Sequence, residues 1–251
     1  MTNLPTVFLP LLVDKSHTLE LAADGIDVSV NDIPQKQDLL LALVKEIESG
    51  GRKSTAITGD VSKESDVKNL VAKTVQELGG LDIMVANAGI NERYSILDLP
   101  EESFDKVMSI NCKGVLFCYR AAAAQMIKQG RGGRIIGACS LLGITAKVPN
   151  HISYTTSKFA VRAITQTAAL EWGEHSITVN AYAPGFIDTP MVGVVAERLG
   201  PDYRQKLTET ACLKRIGEPE EVASVASFLA SEGASYITGQ TFGVNGGLLL
   251  T

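Results

Sequence analysis

IDVSVND, residues 26–32, is a short run rich in β-branched side chains and reads as a β-strand. It decides the fold because runs of the same kind recur. They are STAITGDV at 54–61, LDIMVANAG at 81–89, GRIIGACS at 133–140, SITVNAYAPG at 176–185 and GQTFGVNGG at 239–247. Most are nearly continuous in apolar residues, as parallel strands covered on both faces are. Helical patterns separate them. In SDVKNLVAKTVQELGG, Val67, Leu70, Val71, Val75 and Leu78 recur at spacings of three and four, and Gly79 and Gly80 end the stripe. EESFDKVMSINCKGVLFCYRAAAAQMIKQG predicts one long helix and YTTSKFAVRAITQTAALEW another. EPEEVASVASFLASEGA places Pro219 in a first turn, with acidic residues that suit the helix dipole. Strand–helix alternation with short connections predicts an α/β fold: a doubly wound parallel sheet with helices on both faces.

The bulk numbers exclude several function classes. The chain has 251 residues, is 45% hydrophobic and carries a net charge of -5, so it can bury a large core and is not disordered. No run of Lys or Arg forms a basic patch, and a nucleic-acid partner is not expected. Cys112, Cys118, Cys139 and Cys212 form no CxxC pair, which fits a reducing compartment. His17, His151 and His175 are far apart, so no metal site is expected. The apolar run LPTVFLPLLV lacks the basic flank and cleavage site of a signal peptide. No run is long enough to span a membrane. The expectation is a cytoplasmic protein of one domain, residues 1–251, with no membrane partner. Residues 186–207 interrupt the alternation and are long enough for a substrate lid.

YTTSK places Tyr154 and Lys158 four apart, on one face of a helix. Six Tyr and fourteen Lys placed at random would give about 0.3 such pairs, so the spacing alone says little. Its setting says more, because GACS ends a predicted strand just upstream and open α/β sheets put their sites at strand carboxyl ends. A phenol titrates near ~10, and a nearby ammonium favours the phenolate. A tyrosine so tuned can exchange a proton with an alcohol. The Ser140 hydroxyl can hold a carbonyl oxygen as charge develops on it; the alternative is a strand-end serine capping the next turn.

Taken together, the pieces resemble the short-chain dehydrogenase/reductase family from about Leu21 to Gly247. In family order they are Asp32, GDV at 59–61, ANAG at 86–89, Asn111, Ser140, YTTSK at 154–158, PGFIDTP at 184–190 and ITGQTFGVNGG at 237–247. IIGACS, SKFAVRAITQTAA and LKRIGEPEEVA are most similar to bacterial acetoin (diacetyl) reductases, also called butanediol dehydrogenases. The resemblance implies a Rossmann-like domain that moves hydride between a nicotinamide cofactor and a secondary alcohol or ketone, with small acyloins, diones or vicinal diols favoured. It implies Tyr154 as acid/base, Lys158 as its electrostatic partner and ribose ligand, and Ser140 as orienter of the substrate oxygen. Asn111 would support a water chain to Lys158. Asp32 would accept from the adenosine ribose hydroxyls and repel a 2′-phosphate, favouring NAD over NADP, unless it merely caps the following turn. Asp60 and Val61 would border the adenine, and Asn87, Ala88 and Gly89 the ribose. Pro184, Gly185, Ile187 and Thr189 would cover the nicotinamide end. Leu141 would line the substrate side or pack in the core. A homotetramer or homodimer, built through the two long helices, is the family's usual assembly.

One segment departs from the pattern. The family carries a TGxxxGxG loop after its first strand, for a tight turn and close approach to the pyrophosphate. Here no glycine occurs between Thr6 and Asp24. Counting back from Asp32 without gaps puts the three glycine positions at Phe8, Leu12 and Asp14. Pro10 falls in what should be a central strand, so residues 1–20 predict an atypical segment with an irregular or displaced strand, and a helix resuming near Ser16. Two functions of different class follow: an active NAD-dependent oxidoreductase, or a non-catalytic binding or assembly protein on the same fold.

Overall fold

The computed structural model describes residues 5–10, 15–189 and 202–250. Its strands are β1 (Thr6–Pro10), β2 (Asp27–Asp32), β3 (Ser54–Thr58), β4 (Ile83–Ala86), β5 (Gly133–Ala138), β6 (Ile177–Pro184) and β7 (Thr241–Val244). All pair in parallel in one sheet, in the order β3-β2-β1-β4-β5-β6-β7. The order reverses between β1 and β4, which opens a crevice at the strand carboxyl ends.

The strand read first explains itself in the packing. Val28 and Val30 of β2 are fully buried, and the polar residues between them are buried too. Each of these finds partners. Asp27 Oδ1 accepts from Arg52 Nη2 and the Lys53 amide. The Ser29 hydroxyl accepts from Thr74 Oγ1, and Asn31 Nδ2 donates to the Ile57 carbonyl. Paired in this way, they avoid the penalty of an unsatisfied buried polar group.

Helices cover both faces. On one lie α3 (Glu64–Leu78), α5 (Val115–Gln129) and α6 (Ile152–Trp172), whose Leu70, Val115 and Val161 meet Met84, Ile135 and Val179. On the other lie α1 (Ser16–Ala23), α2 (Gln37–Ser49) and α8 (Pro219–Ala230), with Leu21, Leu40 and Leu229 against Val28, Val30 and Val85. Between α3 and α5 comes α4 (Glu101–Met108), and before α8 comes α7 (Asp202–Thr210). The long helix predicted over 101–130 is α4 and α5, joined by a π-helical turn, Ser109–Gly114.

The expectation for the first strand needs correction. β1 is neither displaced nor irregular. It pairs with β2 along its whole length and with β4 at Val7 and Phe8. Pro10 is tolerated because it is the last residue of the strand, beyond the β4 pairing, where no ladder donor is needed from it. Phe8 is wholly buried in the middle of β1, so the ungapped count mistook a core position for a loop position. The helix resumes at Ser16 as expected. Leu12 and Asp14 lie outside the described residues, as do 190–201 of the segment expected to be a lid.

Gly137 of β5 shows how tightly the layers meet. A Cβ there would overlap the Tyr119 hydroxyl and lie 3.4 Å from Val161 Cγ1. Tyr119 cannot retreat, being fully buried with its hydroxyl 3.1 Å from Thr165 Oγ1. We predict that Gly137→Ala costs about 1–3 kcal/mol by overpacking. Calorimetry should show a melting temperature lower by several degrees; an unchanged one would contradict this packing.

Candidate active site

The carboxyl ends of β4 and β5 and the start of α6 bring the predicted residues together. Lys158 is buried, and its ammonium donates 2.7 Å to the carbonyl of Ala138, the last residue of β5. The same Nζ lies 5.5 Å from the centre of the Tyr154 ring, one helical turn earlier. Ser140 faces Tyr154 from the strand side, close enough for its hydroxyl to pull the phenol's proton affinity down. The Ser140 Oγ also accepts from the Leu142 amide at 3.1 Å, capping the short turn Leu141–Gly143. The capping reading of this serine is thus seen directly. Gly143 lets that turn lie directly on α6: a Cβ there would overlap the Cys139 thiol and come within 2.6 Å of the Lys158 carbonyl. The Cys139 thiol in turn donates to that carbonyl at 3.3 Å.

Asn111 is explained by the π-helical turn that carries it. Such turns are rare and cluster where a side chain must be re-aimed. The Asn111 Oδ1 accepts from the Ile90 amide, and its Nδ2 donates to the Ile90 carbonyl, both at 2.8 Å. Nδ2 also reaches Ser157 Oγ at 3.1 Å. The side chain is thus satisfied by the backbone after Gly89. A Cβ on Gly89 would approach Lys158 Nζ to 3.3 Å and Asn111 Oδ1 to 3.4 Å, so the bare backbone there admits both groups. The sequence reading missed Ser157, whose only signal was its place inside YTTSK.

Burial sets the proton affinities. It holds Lys158 down to about 8. It pushes the Tyr154 phenol up to about 12, against the pull of the Ser140 hydrogen bond. The expected lowering of the phenol by Lys158 is therefore absent: the ammonium is spent on Ala138, and desolvation dominates.

The other predicted residues stand at or beyond the carboxyl ends of β2, β3, β4, β5 and β6. Asp32 ends β2 half-buried; its Oδ1 accepts from the Ile33 amide at 2.7 Å, and burial raises its proton affinity. Asp60 holds Ser62 through its amide and hydroxyl, and Val61 packs behind it against Gly114. The Asn87 Oδ1 accepts from the Tyr182 hydroxyl at 2.6 Å, beside buried Ala88. The Gly185 amide, after Pro184, donates to the Val244 carbonyl. Ile187 bridges to Gly217, and Thr189 is the last described residue before position 202. Leu141 is buried against Ala211 and Leu248, which makes it a packing residue in this state. Lys15, just before α1, pairs with Glu46 of α2 at 3.1 Å. A cavity of about 740 Å³ opens at the opposite edge of the sheet among Asp82, Arg131 and Arg134 and contains none of these residues. All four cysteines are free thiols. No described helix is long and apolar enough to cross a membrane.

Comparison with known proteins agrees with this fold. The family model described as enoyl-(acyl carrier protein) reductase matches residues 16–249. A short-chain dehydrogenase/reductase of Armillaria gallica is 47% identical over 94% of this chain and 92% of its own. A 3-oxoacyl-acyl-carrier-protein reductase of Staphylococcus epidermidis is 38% identical, covering 95% of each chain. The L-2,3-butanediol dehydrogenase of Corynebacterium glutamicum is 36% identical, covering 92% of each. The similarity to butanediol dehydrogenases is thus one among several, which corrects the narrower resemblance. The crystal structure of a gluconate 5-dehydrogenase from Burkholderia cenocepacia in complex with NADP and tartrate superposes with a TM-score of 0.90 at 26% identity, over 97% of this chain and 94% of that one.

The buried ammonium carries a stability signature. Folding lowers the proton affinity of Lys158, so between pH 8 and about 10.5 the unfolded chain binds the extra proton. The penalty is complete below that window and fades as pH rises through it. We predict that the stability of wild type relative to Lys158→Met rises from pH 7 to pH 10 in urea titrations. A pH-independent difference would contradict the buried cation.

Proposed function

The chain belongs to the short-chain dehydrogenase/reductase family, an oxidoreductase family, and on that premise we propose that it is an NAD(H)-dependent enzyme acting on a secondary alcohol or ketone. Small acyloins, diones and vicinal diols are the substrates we assign to it. The observation that carries the reading is the convergence of Ser140, Tyr154, Lys158 and Asn111 on the carboxyl end of β5. A non-catalytic role has less support, because the relatives are dehydrogenases and reductases and this set is complete.

Each residue has a physical task. The Ser140 hydroxyl orients the reacting oxygen and donates to it as charge builds there. The Tyr154 hydroxyl supplies or takes the proton at that oxygen. In the structure described, its phenol is too basic to ionise at neutral pH. Shifting Lys158 from the Ala138 carbonyl toward the phenol would favour the phenolate. Asn111, braced on Ile90, holds the backbone that flanks Lys158. The bound nicotinamide would supply or accept the hydride.

The described residues fit such a cofactor at both ends. Asp32 offers a half-buried carboxylate where the adenosine ribose would sit, and it disfavours a 2′-phosphate, so we assign NAD rather than NADP. Asp60, Val61, Asn87, Ala88 and Gly89 give the adenosine side of the cleft. Pro184, Gly185, Ile187 and Thr189 give the nicotinamide side, with Lys158 toward the ribose between. Residues 186–207 are assigned as the lid. The half-exposed Leu116 and Phe159 and the largely exposed Leu170 on α5 and α6 support a homodimer or homotetramer. We also assign the protein to the cytoplasm.

The test is NADH consumption by the purified chain with diacetyl, acetoin and 2-butanone. We predict turnover that Tyr154→Phe reduces by about 10²–10⁴-fold, while the affinity for NADH is unchanged. Full activity in Tyr154→Phe would remove tyrosine from the proton transfer. No turnover by wild type with any ketone would overturn the enzyme reading.

A further inference from the structure

Two side chains outside the set above stand at the substrate end of the cleft with acceptor atoms to offer. Asn91 follows Ile90, whose amide and carbonyl are both held by Asn111. It therefore lies two residues from the Gly89 backbone that admits Lys158. The Asn91 Oδ1 is buried and has no hydrogen-bond partner among the described residues. A buried acceptor left unpaired costs about 1–3 kcal/mol, and a donor from outside the chain removes that cost.

His151 is the second. It precedes α6 immediately and stands three residues before Tyr154, close to the same face of that helix. Its Nδ1 lies 2.7 Å from the Pro149 carbonyl, which can only accept, so Nδ1 carries the proton. In the neutral ring Nε2 is then an acceptor. Burial first, and the Arg93 charge with it, hold the imidazole below its ordinary value, so the neutral ring prevails at pH 7. The two residues belong to one wall. Tyr94 bridges to His151, and the Tyr94 amide donates to the Asn150 carbonyl at 3.1 Å, tying the loop after β4 to the start of α6. Of the charged neighbours on that loop, Glu92 is taken up by Lys106 and Ser103, which leaves Arg93 as the charge that acts on His151.

We propose that Asn91 and His151 form a hydroxyl-recognition subsite, so that among the substrates assigned above the enzyme prefers those with a hydroxyl beside the reacting carbon: an α-hydroxyketone in one direction, a vicinal diol in the other. This deepens the function proposed above and rests on it. Ser140 and Tyr154 hold the reacting oxygen, and the neighbouring hydroxyl donates to the Asn91 oxygen or to His151 Nε2. A ketone without that hydroxyl leaves the buried Asn91 oxygen unpaired, and an unpaired buried acceptor is what gives a polar site its discrimination.

The experiment compares kcat/KM for NADH-dependent reduction of acetoin and of 2-butanone. Wild type should prefer acetoin. Asn91→Leu and His151→Leu should each lower kcat/KM for acetoin by about tenfold, through KM, as expected for one lost hydrogen bond of about 1.4 kcal/mol. Both should leave 2-butanone within a factor of two. Asn91→Asp and His151→Asn, which keep an acceptor, should restore most of the preference. If the leucine variants slow both ketones equally, or neither, the subsite is overturned while the enzyme reading stands. If wild type reduces neither ketone, calorimetry with butane-2,3-diol against butan-2-ol decides the subsite independently. Binding of the diol that weakens in Asn91→Leu supports it, and equal or absent binding of both overturns it.

Discussion

The buried ammonium of Lys158 is the constraint around which the site is assembled. A cation out of water is expensive unless hydrogen bonds replace its hydration. Here the last carbonyl of β5 receives it at 2.7 Å. That one contact requires the start of α6 to lie at the carboxyl edge of the sheet. It also requires the Leu141–Gly143 turn to cross α6 with no side chain at Gly143, and the β4 loop to pass with none at Gly89. The glycines, the π-helical turn and the capped serine are the local conditions under which a charged side chain can be held in the interior beside a phenol.

The cost is visible in the proton affinities. Lysine is driven down and tyrosine up, both by desolvation. A site poised this way stores a polarity that a bound polar ligand can use, because any group that re-solvates Lys158 or Tyr154 is stabilised in return. The orphaned Asn91 oxygen belongs to the same pattern.

Much of this was legible in the sequence. The six β-branched runs each contain a strand of the sheet, because parallel strands buried on both faces leave a dense apolar signature. The stripe from Val67 to Leu78 lies on α3. YTTSK placed Tyr154 and Lys158 correctly, since four residues on a helix is a fixed geometry. What failed depended on non-local packing. Phe8 was counted into a loop because an ungapped count cannot detect that β1 runs on to Pro10, its final residue. The sign of the tyrosine shift could not be read either: spacing gives the distance to Lys158, but not the degree of burial or the carbonyl that captures the ammonium. The π-helical turn at Asn111 left one trace, an asparagine in a helical run that disfavours it.

The central claim is that the crevice between β1 and β4 holds NADH although no glycine occurs between Thr6 and Asp24. Calorimetric titration of the purified full-length chain with NADH, and separately with NADPH, tests it most directly. The account predicts saturable binding of NADH, tighter than that of NADPH because the Asp32 carboxylate accepts ribose hydroxyls and repels a 2′-phosphate. Absence of binding at millimolar NADH, or tighter binding of NADPH, would contradict it.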